Sequence, residues 1–323
     1  MLITGGTGFL GQHVARELIA AGDEPIVVGR AFDRLDPTLA VQVETRAVDL
    51  RDHAAVMAAC AGVDAVVHAG ALCSPTGPRL LVRAVNIGGT ASVIAGCRRH
   101  GVRRLVFIST PSVVFGGRDV VAATEDAPFP RHFISYYAHT KKVGEDLVRE
   151  AASDLESVIL RPAALFGPGE TALLPRLIDM ARRHRLPIVG GGGNFVDLTY
   201  VENAAQAIAL ALRCDHAVGR TFTITNGEPV QLWDVLRRVL TALGLPPPGP
   251  RLPLFVALLL ARLEERAAAR AGRKPALTRS TVLLLARTQT YDISAARRDL
   301  GYRPRVPLEE GITRTLAALR SAR

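Results

Sequence analysis

The sequence predicts an α/β fold: a doubly wound parallel sheet followed by a smaller, mostly helical C-terminal region. Three observations carry that expectation. Short apolar runs alternate with longer amphipathic stretches through the first two-thirds of the 323 residues, the pattern of strands joined by crossover helices. A glycine-rich turn follows the first run directly. After residue 186 the pattern loosens into Gly/Pro-rich loops and separate helices.

The apolar runs are 2–4, 25–29, 41–48, 64–70, 104–110 and 155–162, with helical patterns over 9–22, 79–100 and 134–153 between them. Further helices are expected near 201–213, 231–243 and 308–319. The expected division places a dinucleotide-binding domain at 1–162, with segments near 195–226 returning to it. A substrate-binding region then occupies 163–323.

The first turn reads TGGTGFLG, with Gly5, Gly8 and Gly11 spaced as GxxGxxG between a strand and a helix. Glycines let the backbone approach a pyrophosphate, and the helix N-terminus offers unspent N–H groups. Gly5, Thr7, Gly8, Phe9, Leu10 and Gly11 therefore form the expected phosphate loop of a Rossmann-like domain. An acid at the end of the second strand would bind the adenosine ribose. That place holds Gly29, and Arg30 follows it. A guanidinium suits a 2′-phosphate through bidentate hydrogen bonds, so NADP(H) is favoured and NAD(H) is the alternative. Asp49, followed by Leu50, lies just beyond the third strand, where it could reach the adenine edge or cap a helix.

In SYYAHTKKVGE, Tyr137 and Lys141 are four residues apart on an expected helix, and Tyr136 has Thr140 at that offset. Residues i and i+4 share a face. An ammonium lowers a tyrosine's pKa and makes Tyr137 a usable acid or base at a carbonyl or alcohol. The chain holds only three lysines among forty basic residues. Ser109, Thr110 and Ser112 end the fifth strand, on the side where ligands bind in such sheets.

The net charge of +10 sits mostly in residues 251–323, which carry fifteen Arg or Lys against six Asp or Glu. Aromatics are 5% of the chain and the arginines fall at helical spacing. That excludes the interleaved basic and stacking groups of a nucleic-acid surface. The segment 251–274 has an apolar run, Leu252 to Ala261, too short to span a bilayer and followed by arginines. It is expected to pack on the sheet domain, with peripheral membrane contact as the alternative. Cys60, Cys73, Cys97 and Cys214 lie far apart and are expected to be buried or idle thiols, neither disulfides nor metal ligands. The opening MLITGGTG leaves no room for a signal peptide, and a cytoplasmic location is expected.

GGTGFLG, STPSVVFG, YAHTK, LRPAALFGPG and DLTYVENAAQAI together resemble the extended short-chain dehydrogenases/reductases. Within them the chain is most similar to the 3β-hydroxysteroid dehydrogenase branch. STPSVVFGG, ATEDAPFP and ITNGEPVQLWDVLRRVL resemble sterol-4α-carboxylate 3-dehydrogenases and, equally, bacterial 2-alkyl-3-oxoalkanoate reductases. The resemblance implies an NAD(P)-dependent oxidoreductase interconverting a 3-hydroxyl and a 3-ketone on a small, lipid-like substrate. It makes Tyr137 the proton donor or acceptor and Lys141 its partner and holder of the nicotinamide ribose. Thr110 becomes the substrate-binding hydroxyl, with Ser112 as fallback. Ala69 and Gly70 would pass under the cofactor, Pro162 would flank the nicotinamide, and Asn86 would support the site. A homodimer through the YxxxK helix is implied too. A nucleotide-sugar epimerase or reductase, and a non-catalytic dinucleotide sensor, are the competing readings on the same fold.

Overall fold

The computed structural model describes residues 1–73, 77–171 and 173–321. Seven parallel strands form its main sheet: β1 (Leu2–Thr4), β2 (Ile26–Gly29), β3 (Glu44–Ala47), β4 (Ala65–His68), β5 (Arg104–Ile108), β6 (Glu156–Pro162) and β7 (Thr221–Ile224). Their order across the sheet is β7-β6-β5-β4-β1-β2-β3. The order reverses at β1, which pairs with β2 on one side and β4 on the other. In an open parallel sheet that reversal opens a crevice at the strands' carboxyl ends. The phosphate loop leaves β1 at this point.

Helices cover both faces, so the central strands are apolar on both sides. Helix α1 (Phe9–Ala20) covers one face. Helices α2 (His53–Ala59), α3 (Arg79–His100) and α4 (Tyr136–Ala151) cover the other. Helix α3 is long and apolar enough to cross a bilayer by composition, but it packs against α2 and α4, and half of its apolar window is buried. It is wound as a π-turn over Ala84–Gly88. The later part of the chain adds α5 (Leu174–Arg182), α6 (Val201–Arg213), α7 (Leu232–Ala242), α8 (Leu254–Arg270), α9 (Arg279–Ala286) and α10 (Leu308–Ser321). Of these, α6 packs on α1. Trp233, Leu177, Leu236, Ala257, Ala261, Val282 and Leu285 form a separate core.

Buried Arg104 ties β5 to the end of α6. Its guanidinium donates to the carbonyls of Ala211, Leu212 and Cys214 at 3.4, 3.1 and 3.2 Å, and to Glu156 and Asp215 at 2.7 and 2.6 Å. The carbonyls of Ala211 and Leu212 lie in the last turn of α6, where the helix offers no N–H partner, and a cation suits that end of the dipole.

Two expectations shift. The third strand starts at Glu44, because 41–43 form a turn with Val41 on the surface. Strand β7 was not among the apolar runs. It is four residues long and pairs only with β6, far back in the chain.

Candidate active site

The phosphate loop is shaped by close approach. Gly5 has φ +69°, and a Cβ there would lie 2.7 Å from the Cα of Gly70. A Cβ on Gly11 would sit 2.3 Å from the carbonyl oxygen of Gly5. Only glycine lets α1 start this tightly against the loop. Gly8 is the N-cap of α1 and supplies no side-chain cap, so the N–H groups of Phe9 and Leu10 are not taken by one. That is an anion-binding helix terminus. Leu50 lies over Gly70, 2.7 Å from where a Cβ would be. Thr7 fills the space beside Gly29, where a Cβ would meet its Cγ2 at 2.7 Å. An acid at the end of β2 would displace Thr7. Arg30 is exposed next to this point. Asp49 accepts hydrogen bonds from Arg51, from the backbone at 2.9 Å and from the guanidinium at 3.0 and 2.7 Å. These bonds, with Arg30 nearby, hold its carboxyl down at about 2. The N-cap of α2 is Asp52, not Asp49. These loops fit a dinucleotide: unspent N–H groups, a glycine cradle that any Cβ would fill, and cations at the adenosine end.

The second half of the site is α4, capped by Ser135, whose hydroxyl accepts the N–H of Ala138 at 3.2 Å. Tyr137 and Lys141 share its inner face. Lys141 is buried, with Nζ 4.2 Å from the centroid of the Phe107 ring on β5. Gly144, one turn on, allows this approach, since a Cβ there would meet Phe107 at 2.7 Å. Burial lowers the Lys141 pKa to about 8, against the pull of Cys73 and Glu145. Tyr137 departs from expectation. Burial, then the nearby Cys73 thiol, raise its pKa above the ordinary value. Desolvation disfavours the phenolate here, so Tyr137 keeps its proton and is set up as a donor. The outward pair behaves as a surface pair should. Lys142 bonds Asp146 at 2.6 Å. Tyr136 stacks on His139 with centroids 5.7 Å apart.

Of the three hydroxyls, Ser109 is committed elsewhere. It is buried and donates to Glu145 at 2.6 Å. Thr110 accepts the N–H of Ser112 at 3.2 Å as cap of a 3-10 turn over Pro111–Val113, which leaves its own proton to give. Thr110 and Ser112 are both half-exposed. Pro162, at the end of β6, is buried beside β7, and Ala69 is half-buried after β4.

Asn86 lies in the π-turn of α3, a distortion that often marks a working residue. Its Oδ1 accepts the N–H of Leu72 at 2.7 Å and its Nδ2 donates to Thr140 at 3.0 Å. Thr140 donates in turn to the carbonyl of Tyr137 at 2.8 Å. Asn86 thus fixes the first turn of α4 against the loop after β4.

Three further groups carry no local sequence signal. Buried Glu145 bonds Arg161 at 2.8 and 2.7 Å and Arg149 at 2.7 Å, a charge cluster directly below Lys141. Buried His68 bonds Thr4 at 2.6 Å and Thr90 at 3.0 Å. Thr90 donates to the carbonyl of Asn86, so it accepts from His68, and Thr4 is left to donate to Nδ1. Burial, then the Lys141 ammonium, hold this imidazole neutral with a pKa of about 3. Cys73, expected to be buried or idle, is exposed and lies near Tyr137, in the loop after β4 that Asn86 ties to the start of α4. The other cysteines fit expectation better: Cys60 and Cys97 are buried, and Cys214 is half-buried.

Residues 2–254 match the family described as the 3-beta hydroxysteroid dehydrogenase/isomerase family. The chain is 38% identical over 329 residues to a 2-alkyl-3-oxoalkanoate reductase of Stenotrophomonas maltophilia (strain K279a), over 98% of both proteins. It is 34% identical over 336 residues to the Homo sapiens sterol-4-alpha-carboxylate 3-dehydrogenase, decarboxylating, covering 99% of this chain and 88% of that one. Among solved structures, MoeE5 in complex with UDP-glucuronic acid and NAD shares the fold, with a TM-score of 0.78 at 24% identity over 100% of this chain and 99% of that one. The chain belongs to the 3-beta hydroxysteroid dehydrogenase/isomerase family, whose named members here are dehydrogenases and reductases acting on CH–OH groups and their ketones.

Proposed function

We propose that the protein interconverts a secondary 3-hydroxyl and a 3-ketone on a hydrophobic β-hydroxy or β-keto acid, using a nicotinamide dinucleotide. One observation carries the reading: a buried lysine sits one turn from a tyrosine on the face of α4 that meets the carboxyl end of β5. The dinucleotide supplies or takes up the hydride. In reduction, Tyr137 gives its hydroxyl proton to the substrate oxygen as hydride reaches the carbonyl carbon. Thr110 donates a hydrogen bond to the same oxygen. The Lys141 ammonium stabilises the phenolate that forms and holds the nicotinamide ribose. Oxidation runs these steps in reverse.

The loop Gly5, Thr7, Gly8, Phe9, Leu10 and Gly11 is assigned to the pyrophosphate. Asp49 and Leu50 go to the adenine side, and Ala69, Gly70 and Pro162 to the surface under the cofactor. Arg30 favours NADP(H), because Thr7 occupies the space an acid would need. Residues 1–162, with the return near 195–226, are assigned to the cofactor and 163–323 to the substrate; the pairing of β7 with β6 supports that return. A homodimer through α3 and α4 is proposed as well. Leu80 is 82% exposed on α3, and the Arg79 guanidinium lies 5.4 Å from the Tyr136 ring of α4. Light scattering at twice the chain mass checks it.

Both relatives named above act on acids of this β-oxygenated kind, which is why this substrate class is preferred to a nucleotide sugar. The test is NADPH and NADH oxidation by the purified protein with a long-chain 2-alkyl-3-keto acid, beside NADP+ reduction with a 3β-hydroxysterol 4-carboxylate. Turnover of either supports the reading. Turnover of a uridine or thymidine diphosphate sugar alone would overturn it.

A further inference from the structure

Helix α8 is apolar on two faces. Its inner face, Ala257, Ala261 and Ala268, is buried. Its outer face carries Phe255, Leu259 and Leu263 at successive turns with Leu260 beside them, and these are 74, 55, 50 and 47% exposed. A helix that merely covers a core turns polar residues outward. Here the outer face continues into Arg262, Arg266 and Arg270, none of which has an ion-pair partner among the described residues. The helix's own acids do not offset them. Glu264 is bound by Arg273 at 2.6 Å and Glu265 by Arg279 at 2.8 Å. The outer face is thus an apolar patch that runs into three uncompensated guanidinium groups.

We propose that this face docks the protein on an anionic lipid surface. Phe255, Leu259, Leu260 and Leu263 enter the headgroup boundary, and Arg262, Arg266 and Arg270 bind lipid phosphates. At 17 residues with three outward arginines, α8 is too short and too charged to span a bilayer, and it suits an in-plane helix. The charge decides against a second copy of the chain as occupant. Each copy carries +10 overall and presents the same basic face, so pairing the two faces would oppose like charges. Helix α8 packs on α9. Leu283 of α9 lies 3.0 Å from the Cβ position of Gly117, as Ile134 does at 3.6 Å, and Ile134 precedes the cap of α4. The docked face is therefore two packed layers from the start of the catalytic helix. Supply of a lipid-like substrate from that surface rests on the function proposed above; docking does not.

The test is co-sedimentation of the full chain with vesicles of phosphatidylglycerol and phosphatidylcholine in equal parts, and of phosphatidylcholine alone. Binding is expected on the anionic vesicles and is expected to weaken at about 0.5 M salt, where charges are screened within several Å. The triple variant Phe255→Ser, Leu259→Ser, Leu263→Ser should lose at least about tenfold in binding. Arg262→Gln, Arg266→Gln, Arg270→Gln should lose the preference for anionic lipid. Both variants should keep the wild-type melting temperature and the turnover of a short-chain, water-soluble 3-keto acid. Wild-type protein that stays in the supernatant with anionic vesicles at low salt would overturn the proposal. So would binding that the serine variant leaves unchanged, or a serine variant that only halves the solution mass. Failure of the wild type to turn over either the long-chain 2-alkyl-3-keto acid or the sterol carboxylate would instead sink the functional reading and leave docking standing.

Discussion

Helices α4 and α8 break the same rule in opposite directions. Helix α4 takes charge inside: Lys141 and Glu145 are buried. Helix α8 leaves large apolar side chains outside. In α4 every buried charge is answered. Glu145 is met by Arg161, Arg149 and Ser109, and the net effect is a carboxyl held below its usual range even though burial pushes it up. Lys141 rests on an aromatic face and titrates near 8. In α8 nothing within the described chain answers the outer leucines. A charge driven inward and fully partnered marks chemistry. An apolar face turned outward and flanked by unpaired cations marks a surface waiting for another phase.

Two adjacent lysines of α4 should differ most. Lys141→Met should lower turnover by about 10²–10⁴-fold, while Lys142→Met, one residue along on the solvent side, should leave it unchanged. Equal effects would mean that the inner face holds no chemistry. Glu145→Gln comes next. It leaves the Arg161 guanidinium buried without its counter-charge and should cost about 3–5 kcal/mol of stability, read in denaturant melts. The sign with pH follows from the lowered Glu145 pKa. Its stabilisation is complete above the unfolded carboxylate value and is lost as pH falls through the lower folded value, so the variant should show a smaller acid-side loss than the wild type.

A smaller effect sharpens the role of Lys141. Its ammonium is fully present below about 8, so kcat/KM should fall above pH 8 by about tenfold per unit, and Lys141→Arg should remove that limb. The folded chain also binds this proton less tightly than the unfolded chain does. Stability should therefore rise from about pH 8 toward the unfolded lysine value. The smallest expected change is at Arg30. Arg30→Ser should reduce the preference for NADPH over NADH by about tenfold, the worth of a charge-assisted pair at an exposed site. An unchanged ratio would take Arg30 out of cofactor choice.

The sheet was legible because buried parallel strands leave uninterrupted apolar runs and the crossover helices leave a 3.6 period. Tyr137, Lys141 and the phosphate loop were legible because each is a local spacing, four residues on a helix or three glycines on a turn. Glu145, Arg161 and Ser109 were not, because their contact joins three elements that only the fold brings together. The same holds for His68 with Thr4 and Thr90, and for Cys73 against Tyr137. The direction of the Tyr137 shift was misread for a related reason. A spacing shows which charge is near but not how much water has been removed. Helix α8 was legible as apolar; which of its faces would meet solvent was not.

The most direct test is a single turnover with NADPH bound beforehand to the wild type and to Tyr137→Phe, followed with a long-chain 2-alkyl-3-keto acid. Nicotinamide fluorescence reports binding and absorbance loss reports chemistry. Both proteins should bind the cofactor equally, the wild type should consume NADPH rapidly, and the variant's rate should be lower by at least about 10³-fold. A variant that binds NADPH and consumes it at the wild-type rate would contradict the assignment of Tyr137 as the proton donor, and the mechanism with it.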